Sequence, residues 1–366
     1  MNAVAAQAMP QAMPLLDMPL DTPLAVVDLD VAERNIAGLQ ALCDRQGVAN
    51  RPHIKTHKSI RMARLQLAAG AIGITCQKLG EAEVMAAAGI ADILISYNVV
   101  GVAKHHRLRA LADRCTLSLC CDSREAADGY AQALAGRAGA PLRLLVECDT
   151  GRQRCGVTTA GAAADLAAHI AGLPGLVFDG LLLYPPEGEL SASAAFIAQA
   201  RRECAARGQP LRTLCSGGTP NRARIGTLGE TEYRAGTYVY NDRQMVALGA
   251  ATLADCALTV VATVVSHPEP GRVLIDAGSK TLSSDLSGQV GHGLLIDYPQ
   301  ARLYKLAEEH GFVDVSACAE VPAIGQQVRV LPNHACVVSN LADRLLCTRG
   351  GVPAGHLDID ARGRVS

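Results

Sequence analysis

The stretch AIGITCQKLGEAEVMAAAGIADILISY, residues 71–97, decides the fold. It consists of a short apolar run (71–76), an alanine-rich amphipathic stretch (79–88) and a second apolar run (92–97). Apolar runs that flank a helical pattern form a βαβ unit, in which the two strands lie parallel in one sheet.

The same alternation continues on both sides of this stretch. Helical patterns cover residues 79–88, 102–113, 125–135 and 191–207. The predicted strands are residues 51–55, 71–76, 92–97, 115–120, 142–148, 176–184, 211–216 and 232–237. Eight βα units in about 200 residues predict a TIM-type (β/α)8 barrel rather than an open doubly wound sheet. No Gly-x-Gly-x-x-Gly follows the first strand and no P-loop motif occurs, so the usual nucleotide fingerprints are missing.

The pattern changes after the barrel. Residues 257–266, 272–276 and 327–331 are β-branched runs separated by glycine and proline, without regular helices between them. They predict a second, mostly antiparallel β domain. We therefore expect a flexible tail (1–21), a barrel (22–250) and a C-terminal β domain (251–366). A strand within residues 22–30 is a candidate to pair with the sheet of the β domain.

Composition excludes several classes of protein. The chain is 49% hydrophobic and 19% charged with a net charge of −1, which gives no reason to expect a nucleic acid or a membrane surface as partner. No apolar run reaches the roughly 18 residues of a membrane span, and the first 21 residues do not form a signal-peptide pattern. The thirteen cysteines are scattered and form no CxxC pair, which predicts buried thiols in a reducing compartment, the cytoplasm.

A lysine stands at the predicted end of the first barrel strand, in Arg51-Pro-His-Ile-Lys-Thr-His-Lys58. Active sites of such barrels lie at the carboxyl ends of the strands, and a lysine partly removed from water is suited to Schiff-base chemistry. Alternatively, Lys55 extends to solvent or pairs with a carboxylate. Lys58 is its rival but falls where the next helix should begin. His53 shares the strand face of Lys55, although a single histidine is more often structural.

Polar residues also follow the later strands. Arg154 follows strand five, Tyr184 ends strand six, and Arg234-Ala-Gly-Thr-Tyr238 ends strand eight. After strand seven, Ser216-Gly-Gly-Thr219 offers backbone donors and hydroxyl groups to an anion. Loops after strands seven and eight commonly hold phosphate in these barrels, although a plain tight turn is the alternative.

His334-Ala-Cys336 is a candidate metal site. On a strand, side chains at i and i+2 point to the same face, so one ion could bridge both. Imidazole and thiolate suit zinc, with substrate or water completing the shell. Chance occurrence of the pair, with the cysteine as a packing residue, is the alternative.

The motif around Lys55, followed by Gly73-Ile-Thr-Cys-Gln-Lys-Leu-Gly-Glu-Ala-Glu83, resembles the D-threonine aldolase and D-serine dehydratase family. This family has the alanine-racemase-like fold of pyridoxal 5′-phosphate (PLP) enzymes. The resemblance extends from residue 22 to about residue 351 and includes Asp276-Ala-Gly-Ser-Lys280 and Pro332-Asn-His-Ala-Cys336.

The resemblance implies a role for each candidate residue. Lys55 would hold PLP as a Schiff base and act as the base at Cα, with His53 and Tyr184 beside it as catalytic residues. Arg154 would approach the ring hydroxyl group of the cofactor, and Arg234 its pyridine nitrogen. The residues implied around the phosphate are Ser216, Gly217, Gly218, Thr219, Gly236 and Thr237.

Members of this family that resemble the sequence bind a divalent metal, which His334 and Cys336 would ligate here. Zinc is favoured, with manganese and magnesium as alternatives. The members are commonly homodimers, in which the β domain of one subunit closes the barrel mouth of the other. Their substrates are small amino acids, here D-3-hydroxy amino acids.

Two reactions use these same parts. Elimination of the β-hydroxyl group gives a 2-oxo acid and ammonia, whereas retro-aldol cleavage gives glycine and an aldehyde. The resemblance associates a His-x-Cys pair with the dehydratases, and a histidine just after the strand-six tyrosine with the aldolases. Here Tyr184 is followed by Pro185-Pro-Glu-Gly188, so elimination leads narrowly. A metal-free racemase and a non-catalytic PLP-binding protein are further alternatives, the second disfavoured by the long β domain.

Overall fold

The computed structural model describes residues 18–366. Residues 1–17 of the tail predicted for residues 1–21 therefore lie outside the described residues. The last residues of that predicted tail lie against the β domain, where the Gln327 side chain donates to the carbonyl oxygens of Met18 and Leu20.

The described chain begins with strand β1 (Leu24–Asp28) and helix α1 (Leu29–Gln46). The strands that follow are β2 (Ala49–Asn50), β3 (Ile74–Cys76), β4 (Asp92–Ile95), β5 (Thr116–Cys121), β6 (Leu142–Cys148), β7 (Leu176–Leu183), β8 (Thr213–Gly217) and β9 (Glu232–Arg234). The helices among and after them are α2 (Ile60–Ala68), α3 (Leu79–Ala87), α4 (Val102–Ala112), α5 (Arg124–Leu134), α6 (Ala160–Ala171), α7 (Ser191–Ala206) and α8 (Arg243–Ala247).

These eight strands form one parallel sheet in the order β2-β9-β8-β7-β6-β5-β4-β3. The sheet closes on itself between β2 and β3, where His53 pairs with Thr75 and the Thr75 N–H donates to the Pro52 carbonyl at 2.8 Å. The predicted (β/α)8 barrel is thus confirmed.

Apolar side chains fill the barrel on both sides of its wall. Inside it, five consecutive strands each contribute one buried residue, namely Leu94, Cys120, Leu145, Leu182 and Cys215. A larger cluster packs the outer faces of the strands against the helices. All thirteen cysteines are free thiols, and several are core residues, as their scattered spacing predicts.

Several barrel strands are shorter than predicted, β3 and β4 among them, and two of the differences affect the candidate site. The first barrel strand is β2 (Ala49–Asn50), which ends before the predicted residues 51–55. The expectation that Lys55 ends a strand was therefore wrong, because Lys55 lies in a 3-10 helix (Ile54–Thr56). Pro52 has no N–H to donate to a strand partner, and His53 Nδ1 accepts the Lys55 N–H at 3.3 Å, which starts the turn. The strand predicted over residues 232–237 ends at Arg234, because the chain turns at Gly236 into another 3-10 helix (Thr237–Val239).

The second sheet contains β1 and the later strands, in the order β13-β14-β11-β10-β1-β16-β17, with β15 pairing β10 and β12. Its later elements are β10 (Leu258–Glu269), β11 (Arg272–Ile275), β12 (Gly293–Leu295), β13 (Arg302–Leu306), β14 (Gly311–Asp314), β15 (Gln327–Pro332), β16 (Arg344–Arg349) and β17 (Val352–Asp358), with helices α9 (Ser279–Leu282) and α10 (Ala335–Leu341). Every pairing in it is antiparallel except that of β1 with β16, which confirms the predicted mostly antiparallel sheet. From residue 18 onwards, no helix has both the length and the apolar character needed to cross a membrane.

One buried arginine ties three barrel strands together at the end opposite to their carboxyl ends. Arg51 Nε lies 2.8 Å from a Glu232 oxygen at the start of β9, and Arg51 Nη1 lies 2.6 Å from an Asp92 oxygen at the start of β4. Gly73 leaves room for it, since a Cβ there would lie 2.6 Å from Arg51 Nη1.

We expect Arg51→Met to lower the free energy of unfolding by about 3 kcal/mol, because Glu232 would lose its cation and Asp92 would keep only the more distant Arg143, at 3.6 Å. Urea-induced unfolding measures this. The control Arg207→Met removes an exposed pair with Asp165 and should cost about 1 kcal/mol or less. Equal losses in the two variants would contradict the role of Arg51.

Candidate active site

A cavity of about 230 Å³ lies at the carboxyl ends of the barrel strands. This is the end at which barrels of this type carry their active sites. The side chains and backbone that line it belong to His53, Lys55, Gln77, Ser96, Glu147, Arg152, Arg154, Leu182, Tyr184, Glu187, Gly218, Thr219, Pro220, Arg234, Gly236, Thr237, Gln244, Met245 and His334. Most of the predicted site residues therefore meet at one place.

Lys55 and its rival Lys58 have different surroundings. Lys55 is half-buried and lines the cavity, and no carboxylate of residues 18–366 forms an ion pair with it. Lys58 is buried with a left-handed backbone (φ 49°), and its Nζ lies 3.1 Å from an oxygen of the buried Glu81. Lys58 is thus engaged in a structural ion pair, and Lys55 is the lysine that faces the cavity.

His53 is neutral in this environment. Its Nδ1 accepts the Lys55 N–H, so the proton is assigned to Nε2, which lies 3.1 Å from Gln77 Oε1 and 3.2 Å from Ser96 Oγ. Burial, followed by the positive charges of Lys55 and Arg234, holds the pKa of His53 well below its usual value. An uncharged imidazole therefore lies beside Lys55 and keeps its turn in place.

The loops after β8 and β9 form a cradle of backbone and hydroxyl groups. Gly218 has φ 117°, and a Cβ on it would lie 2.8 Å from Tyr184 Cε2. A Cβ on Gly236 would lie 3.1 Å from Thr56 Oγ1. Thr219 Oγ1 accepts the Tyr238 N–H at 3.0 Å and so joins the two loops. The space that glycine leaves here fits an approaching phosphate group.

Two residues predicted for the cradle lie behind it. Ser216 and Gly217 belong to β8 and are buried outside the cavity lining. A Cβ on Gly217 would lie 2.4 Å from the Arg234 carbonyl oxygen, so this glycine allows β8 and β9 to approach. Contact of either residue with phosphate stays a prediction.

Arg234 is held from inside the barrel. Its Nη1 donates to the Cys215 carbonyl at 3.0 Å, and its Nη2 donates to the Leu183 carbonyl at 2.5 Å. Carbonyl oxygens hold the guanidinium without neutralising it, so the cavity keeps a fixed positive charge. The predicted contact with the pyridine nitrogen is not tested by this geometry.

Glu147 is a functional residue that the sequence reasoning missed. This buried carboxylate near the end of β6 accepts from the thiols of Cys120 at 3.4 Å and Cys155 at 3.2 Å. It also lies 3.5 Å from Nη2 of the half-exposed Arg154, whose guanidinium stands 5.3 Å from the centre of the Tyr184 ring. A carboxylate inside the apolar run of residues 142–148 was the signal that could have identified it.

The predicted metal ligands occupy a helix start rather than a strand. β15 ends at Pro332, His334 is the N-cap residue of α10, and Cys336 lies in its first turn. The helix begins there because the Asp242 carboxylate, far away in the sequence, accepts the Ala335 N–H at 3.0 Å. The expectation of two side chains on one strand face was therefore wrong.

The two side chains nevertheless interact. Burial lowers the pKa of His334, but Cys336 and then Asp285 raise it to about 9. Burial raises the pKa of Cys336, whereas His334 and then Lys55 lower it, and the net direction is down. Cys336 Sγ lies 3.1 Å from Thr56 Oγ1, so the pair stands next to the turn that carries Lys55.

The donor set fits a divalent ion with two protein ligands. Nitrogen and sulfur donors suit zinc, and Asp285 Oδ2, 2.7 Å from His334 Nδ1, fixes the ring so that Nε2 is the free donor. In the described part of the chain, no cluster of three or more His, Cys, Asp or Glu side chains is arranged to hold a metal. Water or substrate would have to complete the shell.

An amine without a carboxylate partner, beside loops that offer backbone donors to an anion, suits a cofactor with both an aldehyde and a phosphate group. Pyridoxal phosphate has both, and the fold and the site together define a PLP-type barrel enzyme. The chain belongs to the family described as "Alanine racemase, N-terminal domain", whose model matches residues 27–244. A second model, "Putative serine dehydratase domain", matches residues 257–348.

Relatives along nearly the whole chain have two kinds of activity. A D-threonine aldolase from Arthrobacter sp. is 37% identical over 358 residues, with 94% of this chain and 93% of that protein covered. A D-threo-3-hydroxyaspartate dehydratase from Delftia sp. is 37% identical over 353 residues, with 87% and 91% covered. The crystal structure of D-threonine aldolase from Filomicrobium marinum has a TM-score of 0.89 at 32% identity, covering 97% and 99%. The predicted resemblance is confirmed.

We expect Glu147→Gln to weaken PLP binding about tenfold, since Arg154 would lose the charged partner that orients it over Tyr184. Titration of the apoprotein with PLP, followed by visible absorbance, gives the dissociation constant. Glu203→Gln on the outer surface of α7 is the control, with unchanged affinity expected. Unaltered PLP affinity in Glu147→Gln would show that Glu147 does not position Arg154.

Proposed function

We propose that this protein is a PLP-dependent, metal-assisted lyase that removes the β-hydroxyl group of D-3-hydroxy amino acids and releases a 2-oxo acid and ammonia. The observation that carries the proposal is the meeting of two reactive groups at one cavity. Lys55 lines it, and the His334–Cys336 pair is joined to its turn through the contact between Thr56 and Cys336.

The bound cofactor supplies an electron sink that makes loss of the Cα proton, or cleavage of the Cα–Cβ bond, accessible. Lys55 would hold the cofactor through its amine, and the same amine, when free, would take the proton from Cα of the substrate. His53, neutral and hydrogen-bonded to Gln77, anchors the Lys55 backbone without adding a competing charge. Tyr184, under two guanidinium groups, forms one wall of the cavity.

His334 and Cys336 are the proposed metal ligands. Zinc is favoured over manganese and magnesium, because these prefer oxygen donors whereas the pair offers nitrogen and sulfur. A divalent ion supplies Lewis-acid assistance to departure of the hydroxyl group. Solved structures of a related D-threo-3-hydroxyaspartate dehydratase include a variant with a histidine replaced by alanine and a variant with a cysteine replaced by alanine. The two replaced residues are two positions apart, and the cysteine variant is in a metal-free form. This spacing is that of His334 and Cys336.

The choice of elimination over retro-aldol cleavage rests on the residues near Tyr184. The segment after it offers Pro185, Pro186 and Glu187 rather than a histidine, and Glu187 pairs with Arg152. A base for the β-hydroxyl proton, which the aldol route needs, is thus lacking in this segment. Retro-aldol cleavage stays the second candidate, supported by the D-threonine aldolases that match in sequence and structure.

A homodimer and a cytoplasmic location also belong to this proposal. In support of a dimer, Val100 and Val102, just after the carboxyl end of β4, are 60% and 73% exposed. Apolar side chains at the barrel mouth favour contact with another subunit.

Product analysis tests the reaction. The purified holoenzyme is incubated with D-serine, D-threonine and D-threo-3-hydroxyaspartate, with and without a chelator. We expect a 2-oxo acid and ammonia in equal amounts, loss of activity with the chelator, and recovery with zinc. His334→Ala should contain no stoichiometric metal. Glycine as the main product would replace elimination with aldol cleavage, and full activity of metal-free protein would overturn metal assistance.

Lys55→Ala should lose the visible absorbance of the cofactor Schiff base and retain less than about a thousandth of wild-type turnover, because a covalent attachment and a base disappear together. Lys305→Ala, on the exposed strand β13, is the matched control and should keep both. Borohydride reduction of the wild-type protein followed by peptide mass analysis should find the cofactor on Lys55. Attachment to another lysine would refute this assignment.

A further inference from the structure

A second guanidinium group lies at the rim of the cavity, and the mechanism above does not use it. Arg152 belongs to the loop after β6, which the Asp149 carboxylate holds by accepting the N–H groups of Gly151 at 2.8 Å, Arg152 at 2.7 Å and Arg154 at 3.1 Å. A Cβ on Gly151 would lie 3.2 Å from Pro186, so this loop packs closely against the loop after β7. The backbone beneath Arg152 is therefore fixed.

The Arg152 side chain is also fixed. Its Nε donates to the Pro185 carbonyl at 3.2 Å, and its Nη2 donates to Glu187 Oε1 at 2.6 Å. Its Cζ lies 4.2 Å from the centre of the Tyr184 ring. Only Nη1 has no acceptor among residues 18–366. Arg152 lines the cavity with 24% of its side chain exposed, and its Nη1 carries two N–H donors that no acceptor among the described residues uses.

The other cationic groups of the cavity already have a partner or a role, including His334, which pairs with Asp285. Arg154 pairs with the buried Glu147, Arg234 donates to carbonyl oxygens, and Lys55 is assigned to the cofactor. The apolar surface of the cavity comes from Leu182, Pro220 and Met245 and from the Tyr184 ring, which is already in contact with the Arg152 and Arg154 guanidinium groups. Beside Arg152, a methyl or phenyl group would meet an aromatic ring already in contact with guanidinium groups, whereas a carboxylate would find a preorganised donor.

We infer that Arg152 binds a second carboxylate of the substrate, so that the preferred substrates are D-3-hydroxy amino acids with an acidic side chain, of the 3-hydroxyaspartate type. The inference rests on the proposed function for the position of the amino acid. Arg152 is a specificity-determining residue here. Glu187 holds the guanidinium while no substrate is bound, and the substrate carboxylate accepts from Nη1 and competes with Glu187 for Nη2.

Binding of unreactive analogues tests this without depending on which bond is broken. The holoenzyme is titrated with D-aspartate and with D-alanine, which differ by one carboxylate and carry no β-hydroxyl group, and the absorbance of the cofactor reports binding. We expect D-aspartate to bind at least about tenfold more tightly than D-alanine, as a charge-assisted hydrogen bond provides. In Arg152→Gln this ratio should fall to about one, and in Arg152→Lys to an intermediate value.

Glu187→Gln shows whether Arg152 binds the substrate carboxylate or only shapes the rim of the cavity. It removes the competitor of the substrate carboxylate, so the ratio of D-aspartate to D-alanine affinity should stay the same or rise. A ratio that falls in Glu187→Gln as far as in Arg152→Gln would mean that the ion pair only shapes the rim, and would overturn the inference. A wild-type ratio near one would overturn it as well.

Turnover distinguishes this inference from the proposed function. The ratio of kcat/KM for D-threo-3-hydroxyaspartate to that for D-serine should fall at least about tenfold in Arg152→Gln. If the wild type forms glycine from its substrates, elimination fails while the analogue ratios still decide the role of Arg152. If 2-oxo acids form but the analogue ratio is near one, elimination stands and the role of Arg152 fails.

Discussion

Closure of the barrel between β2 and β3 is the constraint on which the site depends. β2 has only two residues, so the seam is completed by hydrogen bonds from the β3 side to the carbonyl groups of Asn50 and Pro52, and by the ion pairs of Arg51 below it. The chain can then leave the sheet at once and form the 3-10 helix that carries Lys55. Because this helix starts directly after the seam that these hydrogen bonds and ion pairs close, the barrel sets the direction in which the Lys55 side chain points.

The charged side chains of the cavity are also held in place by surrounding groups, as the turn of Lys55 is held by the barrel seam. The lysine and arginine side chains that line the cavity, Lys55, Arg152, Arg154 and Arg234, outnumber the carboxylates of Glu147 and Glu187. Each arginine is oriented by a carboxylate or by carbonyl oxygens, so little reorganisation is needed when an anion binds. His53 stays neutral among them because burial and the neighbouring cations oppose its protonation. The cavity is thus positive, which suits a phosphate group and a carboxylate.

The barrel could be predicted from sequence because its strands are buried on both faces and therefore appear as apolar runs at regular spacing. The grouping of Lys55, Arg154 and Tyr184 at one site could also be predicted, because the carboxyl ends of barrel strands converge at one face of the barrel. Local spacing could not predict the rest. The helix at His334 depends on a cap from Asp242, and the orientation of that histidine depends on Asp285, both distant in sequence. The role of Glu147 could not be predicted from sequence, because its partners lie on a neighbouring strand and on the loop of Arg154. A single carboxylate in an apolar run does not indicate which groups it will contact.

The fold itself does not decide between elimination and aldol cleavage, because an aldolase and a dehydratase match this chain at equal identity. The difference must lie in groups that reach the substrate's β-carbon. In the proposed mechanism these include His334 and Cys336, which lie next to the turn of Lys55 through the contact of Cys336 with Thr56. They also include Tyr184 and the rim after it, where Glu187 is already paired with Arg152. In the proposed mechanism, a metal held by His334 and Cys336 would act as the acid that departure of the hydroxyl group needs, whereas removal of the hydroxyl proton needs a base, and Glu187 on the rim is already paired.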